Sequence, residues 1–338
     1  MAHSAVCEER YPPDSEECQY VQELEQKAEQ GDESAQFALG SWYAEGRYVK
    51  PDYKLAIKWL EKAGKQGSDF SYFILGYHYN YGENFPLSRQ KALEWYRKAA
   101  ELGDSSTQEI LGDAYMYGDG FPQNTQLALE WYRRAAAQGL AEAQDAIGVM
   151  FMQGEGVSQD YQQALAWYRK AARQGLPAAQ THLGIMSAFG RGVAQSDRQA
   201  IAWYRKAAKQ DFAKAQYQLG VAYSTGRGVP ENSRNALKWY LKAAEQGFTP
   251  AQLALGEIYA HGRQGVPKDN KQAYIWYYMA SIYTEKSKDD CSALIAERNR
   301  LKGTLTPDQL SETYAAFDLI RRKINQSKEA KKIARKKY

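Results

Sequence analysis

Residues 141–175 read AEAQDAIGVMFMQGEGVSQDYQQALAWYRKAARQG. Two apolar-striped segments are joined here by a glycine-punctuated turn. In the second segment Ala164, Leu165, Trp167, Tyr168, Ala171 and Ala172 fall at i, i+1, i+3, i+4, i+7 and i+8. That is a wide stripe with helical period, not the alternation of a strand. Asp160 stands four before Ala164, where a short acceptor side chain satisfies an orphan amide of the helix start. Gly175 supplies the left-handed residue that closes the helix. The stretch predicts an antiparallel helix pair, A followed by B.

The same pair recurs along the chain. Glycine returns at 40, 76, 112, 148, 184, 220 and 256, a constant step of 36, and again at 46, 82, 118, 154, 190, 226 and 262. Trp59, Trp95, Trp131, Trp167, Trp203 and Trp239 keep that step, and Trp276 comes one later because Gln264 is inserted in the seventh loop. A fixed period of this length marks a repeat array rather than a pair of globular domains. Asp52, Ser88, Asn124, Asp160, Ser196, Asn232 and Asp269 occupy the N-cap position of every B helix. Gly67, Gly103, Gly139, Gly175 and Gly247 close B helices, with Asp211 substituting once.

A glycine inside helix A costs about 1 kcal/mol relative to alanine. Only close packing offsets such a cost in all seven units. The missing Cβ is expected to let helix B approach, with the Ala99-Ala100 and Ala171-Ala172 pairs doing the same from the other side. Trp and Tyr are expected to fill the space between neighbouring units.

Outside the array, 1–19 is an acidic segment and 20–33 reads as a capping helix lacking a partner. The repeats run over 34–286, and further capping helices are expected over 287–323. Thr306-Pro307-Asp308-Gln309 is a capping box with Pro at the first helical position, opening a helix to about Lys323. The basic tail is 324–338, and within it 327–338 is expected to fray.

The chain has 338 residues, mean hydropathy −0.68 and net charge +4. No apolar run reaches the roughly 18–20 residues of a membrane span. Charge is concentrated at the ends. Residues 1–33 carry ten acids against Arg10 and Lys27, while 321–338 carry nine Lys/Arg against Glu329. The body is thus not expected to be a nucleic-acid surface, and the basic end suits a solvated or weakly adhesive terminus. Three cysteines are too few for a disulfide framework. Cys7 and Cys18 could close a small loop or remain free thiols, leaving Cys291 single.

The pattern A-x-x-x-L-G-x-x-Y-x-x-G-x-G-V-x-x-D-x-x-x-A-x-x-W-Y-x-K-A-A-x-x-G resembles the Sel1-like repeat, a relative of the tetratricopeptide repeat. It is nearly complete at 143–175 and 215–247, and repeats of this kind cover about three quarters of the chain. Tyr48 and Asn84 replace the second loop glycine, marking loops whose path can differ, and Ser187 replaces the helix-A tyrosine. The resemblance implies an all-α, right-handed α-solenoid of seven 36-residue antiparallel helix pairs with capping helices at both ends. It also implies a non-enzymatic scaffold for another protein: a bacterial envelope adaptor, a host-interaction protein, or an immunity protein neutralising a secreted effector.

Chemistry-bearing motifs are few. His3, His78, His182 and His261 share neither a face nor a metal-ligand spacing. Gly118-Asp119-Gly120 and Gly154-Glu155-Gly156 recur once per unit and read as turn chemistry. Ser88-Arg89-Gln90-Lys91 is a Ser-x-x-Lys, and some cysteine-rich relatives have been linked to β-lactamase activity. Ser88 nonetheless falls on an N-cap, and no Ser-Asp-Asn or Lys-Thr-Gly accompanies it. No catalytic, metal or cofactor site is expected. A cell-wall or β-lactam hydrolase and a membrane-surface tether through the basic end are the alternatives.

In tetratricopeptide repeats the concave groove is lined by helix A at −3, +1, +4 and +5 from its glycine. Carried over, this gives Phe73, Tyr77, Asn80 and Tyr81 in unit two. Units three and four give Glu109, Asp113, Met116 and Tyr117, then Asp145, Val149, Met152 and Gln153. Unit five gives Thr181, Ile185, Ala188 and Phe189. These positions vary while the packing positions repeat, as expected of a binding surface on a uniform frame. Exposed Tyr, Phe and Met beside acids suit a protein or peptide partner. The competing reading is that they pack between neighbouring A helices. The chain is expected to be a monomer, exported or periplasmic, with a cytoplasmic location as the alternative.

Overall fold

The computed structural model describes residues 12, 15–82, 84–263, 265–284 and 292–336. Among the described residues there are seventeen α-helices and no strand. A leading helix, α1 (Glu16–Glu29), precedes seven A–B pairs. These are α2 (Glu33–Glu45) with α3 (Tyr53–Lys65), α4 (Asp69–Tyr81) with α5 (Arg89–Leu102), and α6 (Ser105–Tyr117) with α7 (Thr125–Ala137). Then come α8 (Ala141–Gln153) with α9 (Tyr161–Arg173), α10 (Pro177–Phe189) with α11 (Asp197–Ala208), and α12 (Ala213–Thr225) with α13 (Ser233–Ala244). The seventh pair is α14 (Thr249–His261) with α15 (Asn270–Thr284), followed by α16 (Ser292–Lys302) and α17 (Pro307–Lys336). The chain divides into two compact units, Met1–Trp167 and Tyr168–Tyr338.

All seven anticipated N-caps are made. Asn124 Oδ1 accepts from the Leu127 N–H at 3.0 Å, Ser88 Oγ from Lys91 at 3.3 Å and Asp269 Oδ1 from Gln272 at 3.0 Å. Asp52, Asp160, Ser196 and Asn232 do the same. Each cap residue also donates its own N–H to a carbonyl near the end of helix A, as Asn124 does to Tyr115 at 2.8 Å, which closes the A–B turn. In the two loops without the second glycine, Tyr48 and Asn84 take the left-handed conformation of the residue they replace, at φ 62° and 59° against 70° for Gly156. The turn thus holds even a non-glycine residue in the left-handed region.

The helix-A glycine is a seat for one ring. A Cβ on Gly76, Gly112 or Gly184 would collide with Tyr96, Tyr132 or Tyr204, and on Gly220 or Gly256 it would lie 2.6 Å from Tyr240 or Tyr277. In repeat one Leu60 takes that place over Gly40. Each of these rings belongs to helix B of the same repeat. The glycine notch therefore seats these tyrosines inside their own pair, a contact that the sequence reading, which placed them between neighbouring units, did not include.

At the N-terminal end α1 packs Cys18, Val21 and Ala28 out of solvent. Cys18 is disulfide-bonded; Cys7, Cys291 and His3 lie outside the described residues. At the other end the capping box forms in both directions, Thr306 N–H to Gln309 Oε1 at 3.0 Å and Gln309 N–H to Thr306 Oγ1 at 3.3 Å. Phe317 of α17 stacks on Tyr278 at 4.1 Å, and Ile324 is buried near Gly247. The last helix continues to Lys336. Residues 324–336 contain neither glycine nor proline and are mostly good helix formers, so nothing in the chain stops it.

Candidate partner-binding surface

Helical rotation sorts the predicted lining. With about 100° per residue, position +4 lies about 40° from the glycine, −3 about 60°, +1 about 100° and +5 about 140°. Since the glycine faces helix B, +4 should be most covered and +5 most open. Tyr81, Tyr117 and Phe189, all at +5, are 46%, 75% and 60% exposed, and Gln153 is exposed as well. Phe73, Tyr77, Asn80, Glu109, Asp113, Asp145, Val149, Met152 and Ile185 are half-buried.

Met116, Thr181 and Ala188 are buried and offer no surface, contrary to the expectation. Met116 and Ala188, both at +4, turn toward the core; Met116 packs with Tyr115, Leu129 and Tyr132. Thr181 folds back on its own helix, donating Oγ1–H to the Pro177 carbonyl at 2.7 Å.

In the first unit, α4 presents an aromatic line. Phe70 stacks on Phe73 at 5.6 Å and meets Phe37 of α2 at 5.7 Å, while Tyr77 and Tyr81, one turn apart, are 4.6 Å centroid to centroid. The next A helix, α6, sets Glu109, Asp113 and Tyr117 on one face at i, i+4 and i+8. The Tyr132 hydroxyl donates to Asp113 Oδ1 at 2.6 Å. Burial nevertheless raises the Asp113 carboxyl above its ordinary value, against the pull of that bond and of Arg89. Desolvation by the surrounding protein, then the charges of Asp113, Glu155 and Glu109, raise the Tyr117 phenol. At the edge Arg89 donates to Asn80 Oδ1 at 3.0 Å and to Asp119 Oδ2 at 2.9 Å.

The charge of the repeats is split between the helix types. The seven A helices hold eight acids against Lys214; the seven B helices hold twenty Lys/Arg against five acids. Counting charge along the chain hides this split, because A and B alternate. Taking every thirty-sixth residue reveals it, together with a cation three residues after the repeat tryptophan. Lys98 lies 4.0 Å from the Trp95 ring, Arg134 4.6 Å from Trp131, and Lys62 and Lys206 each 4.5 Å from Trp59 and Trp203. These cations cover indoles that are half-buried at Trp95, Trp131 and Trp203 and buried at Trp59.

The Sel1 repeat family matches seven consecutive segments, 33–68, 70–104, 105–140, 141–176, 177–212, 213–248 and 249–281. The chain belongs to the Sel1 repeat family. Among solved structures, this Sel1 repeat protein is similar to a Sel1 repeat protein from Oxalobacter formigenes. Identity is 34% over 85% of this chain and 80% of the other, with a TM-score of 0.71. It is also similar to c5321, a protective antigen of uropathogenic Escherichia coli strains (26% identity, 90% and 87% covered, TM-score 0.46). A third similarity is to the immunity protein Pa5087 from Pseudomonas aeruginosa (23% identity, 58% and 75% covered, TM-score 0.45). No match is found among curated proteins.

Motifs that could carry other chemistry in this Sel1 repeat protein have structural partners. Ser88 is the cap of α5. His78 is buried and stacked on Phe85 at 5.0 Å, His182 lies against Tyr168 at 4.8 Å, and His261 Nδ1 is 3.1 Å from the Glu257 carbonyl. Among the described residues no three His, Cys, Asp or Glu gather to hold a metal, and no helix is long and apolar enough to cross a membrane.

Proposed function

We propose that this protein is a non-catalytic scaffold that holds a partner protein on the A-helix face of its first unit, around Tyr77, Tyr81 and Tyr117. The observation that carries the reading is Tyr117, a large ring 75% exposed on a well-packed helix. Such rings supply binding area at low cost in side-chain entropy and lie at the centre of many protein interfaces. Within that class we propose an envelope adaptor or an immunity protein that neutralises a secreted effector. The disulfide at Cys18 favours an exported, periplasmic chain, since disulfides persist in oxidising compartments.

The test is capture from an extract of the source organism on immobilised protein, read by mass spectrometry. Tyr81→Glu with Tyr117→Glu is compared with Arg234→Glu and Lys238→Glu on α13. Met116 is left unchanged because a charge at a site 6% exposed would unfold the repeat. A partner held by wild type and the α13 variant and lost from the tyrosine variant is expected. Retention by the tyrosine variant would refute the A-helix face as the site.

A further inference from the structure

We infer that the Tyr117 site takes an arginine side chain of the partner. The inference rests on the scaffold reading above and specifies what that face recognises.

The chain contains its own precedent. Phe189 stands at the position of Tyr117 two repeats later, and two guanidinium groups lie over it, Arg191 at 5.4 Å and Arg227 at 6.0 Å. Arg227 is in turn held by Asp197 at 3.0 Å. The residues matching Arg191 and Arg227 around Tyr117 are Asp119 and Glu155. The cations are thus replaced by carboxylates, and Glu109 and Asp113 add two more on the same helix face. Among the described residues no ring or cation is set against Tyr117, and Glu155 has no ion pair. Asp119 is occupied by Arg89.

An aromatic face ringed by carboxylates suits a planar cation that can stack and donate in a fork. Arginine does both, whereas lysine offers a point charge. The field agrees: within the first unit the A helices are net acidic and the B helices net basic, so a cationic segment is drawn to the A-helix side there.

The experiment is fluorescence polarisation of the intact protein with a labelled Gly/Ser peptide carrying three arginines. Matched peptides carry lysine or citrulline, the neutral isostere. Binding of the arginine peptide is expected, at least about tenfold tighter than citrulline, several-fold tighter than lysine, and weakened by salt. Tyr117→Ala and Glu155→Gln should each weaken it. Glu155→Arg should abolish it by supplying within the chain the guanidinium that Arg227 supplies to Phe189. Thermal melts establish that each variant is folded.

Equal affinity for citrulline and arginine, or wild-type affinity in Glu155→Arg, would overturn the inference. So would a gain in affinity on removing 324–338, which would give the site to the chain's own basic end. If Tyr81→Glu with Tyr117→Glu loses its partner while arginine peptides show no preference, the scaffold reading stands and only the arginine inference falls.

Discussion

In repeat three, Gln138 donates to Gln108 Oε1 at 2.9 Å and to the Gly103 carbonyl at 2.8 Å, while Gln108 donates to the Ala100 carbonyl at 3.0 Å. Two amides thereby tie three helices together, α5, α6 and α7. Gln66 with Gln36 forms the same clamp, and Gln210 with Gln180 a variant in which both amides donate to the Gly175 carbonyl. In repeat two the corresponding residues are Leu102 and Tyr72. Here Tyr72 stacks on Trp95 at 5.8 Å, with Lys98 5.4 Å from its ring, and Gly64 replaces the alanine found in the later repeats. A Cβ on Gly64 would lie 2.5 Å from the Tyr72 ring. Three substitutions thus act as one: the tyrosine takes the place of the clamp, and the glycine admits the tyrosine. Identical frames can be held by a polar clamp or by an aromatic wedge, provided each is complete.

The largest expected effect comes from filling a seat common to both repeats. Gly112→Ala should cost about 3 kcal/mol in urea denaturation, although alanine is the better helix former, because Tyr132 has nowhere to go. A neutral or stabilising result would break the seat account. Gly64→Ala should cost about 2 kcal/mol for the same reason, and Tyr72→Gln with Leu102→Gln should restore most of it. If that rescue fails, the wedge and clamp are not interchangeable solutions.

Next in size is the clamp itself. Gln138→Ala leaves the buried Gln108 amide oxygen without its donor and should cost about 1–2 kcal/mol. Leu102→Ala in repeat two should cost less than half as much in the same titration, since Leu102 is 46% exposed.

A smaller effect separates the repeats by pH. Asp113 of repeat three corresponds to Tyr77 of repeat two. Burial raises the Asp113 carboxyl above 3.8, so the folded state holds its proton more tightly than the unfolded chain. Its contribution to stability therefore falls as pH rises through the folded-state value. Asp113→Asn should raise the melting temperature slightly at pH 7 and lose that advantage as pH falls toward 3.8. A difference independent of pH would show that burial does not dominate there. The smallest effect is at the loop: Asn84→Gly relieves φ 59° but removes the bond from Asn84 Nδ2 to the Ala44 carbonyl at 2.9 Å, so stability should change by less than about 0.5 kcal/mol.

Much of the candidate surface was legible too, but only in part. Position +5 was readable because a residue about 140° from the glycine faces away from helix B whatever its neighbours. Position +4 was not, because burial there depends on what the facing helix brings; Met116 is covered by α7 side chains that no local pattern announces. Arg227 over Phe189 is not legible locally for a related reason, since it lies 38 residues away and only the stacking of repeats makes it a neighbour.

What the sequence determined by itself was the frame: the period, the helix pairs, the seven caps and the left-handed closures. Each rests on groups within a few residues of one another, so local pattern is sufficient. Only the tertiary structure decided where the tyrosines sit, how the glutamines pair and which rings remain open. The glycine seats join residues 20 or 21 positions apart, the paired glutamines 30 and Arg227 with Phe189 38, and their energies come from shape and desolvation at contacts that exist only after the helices have packed.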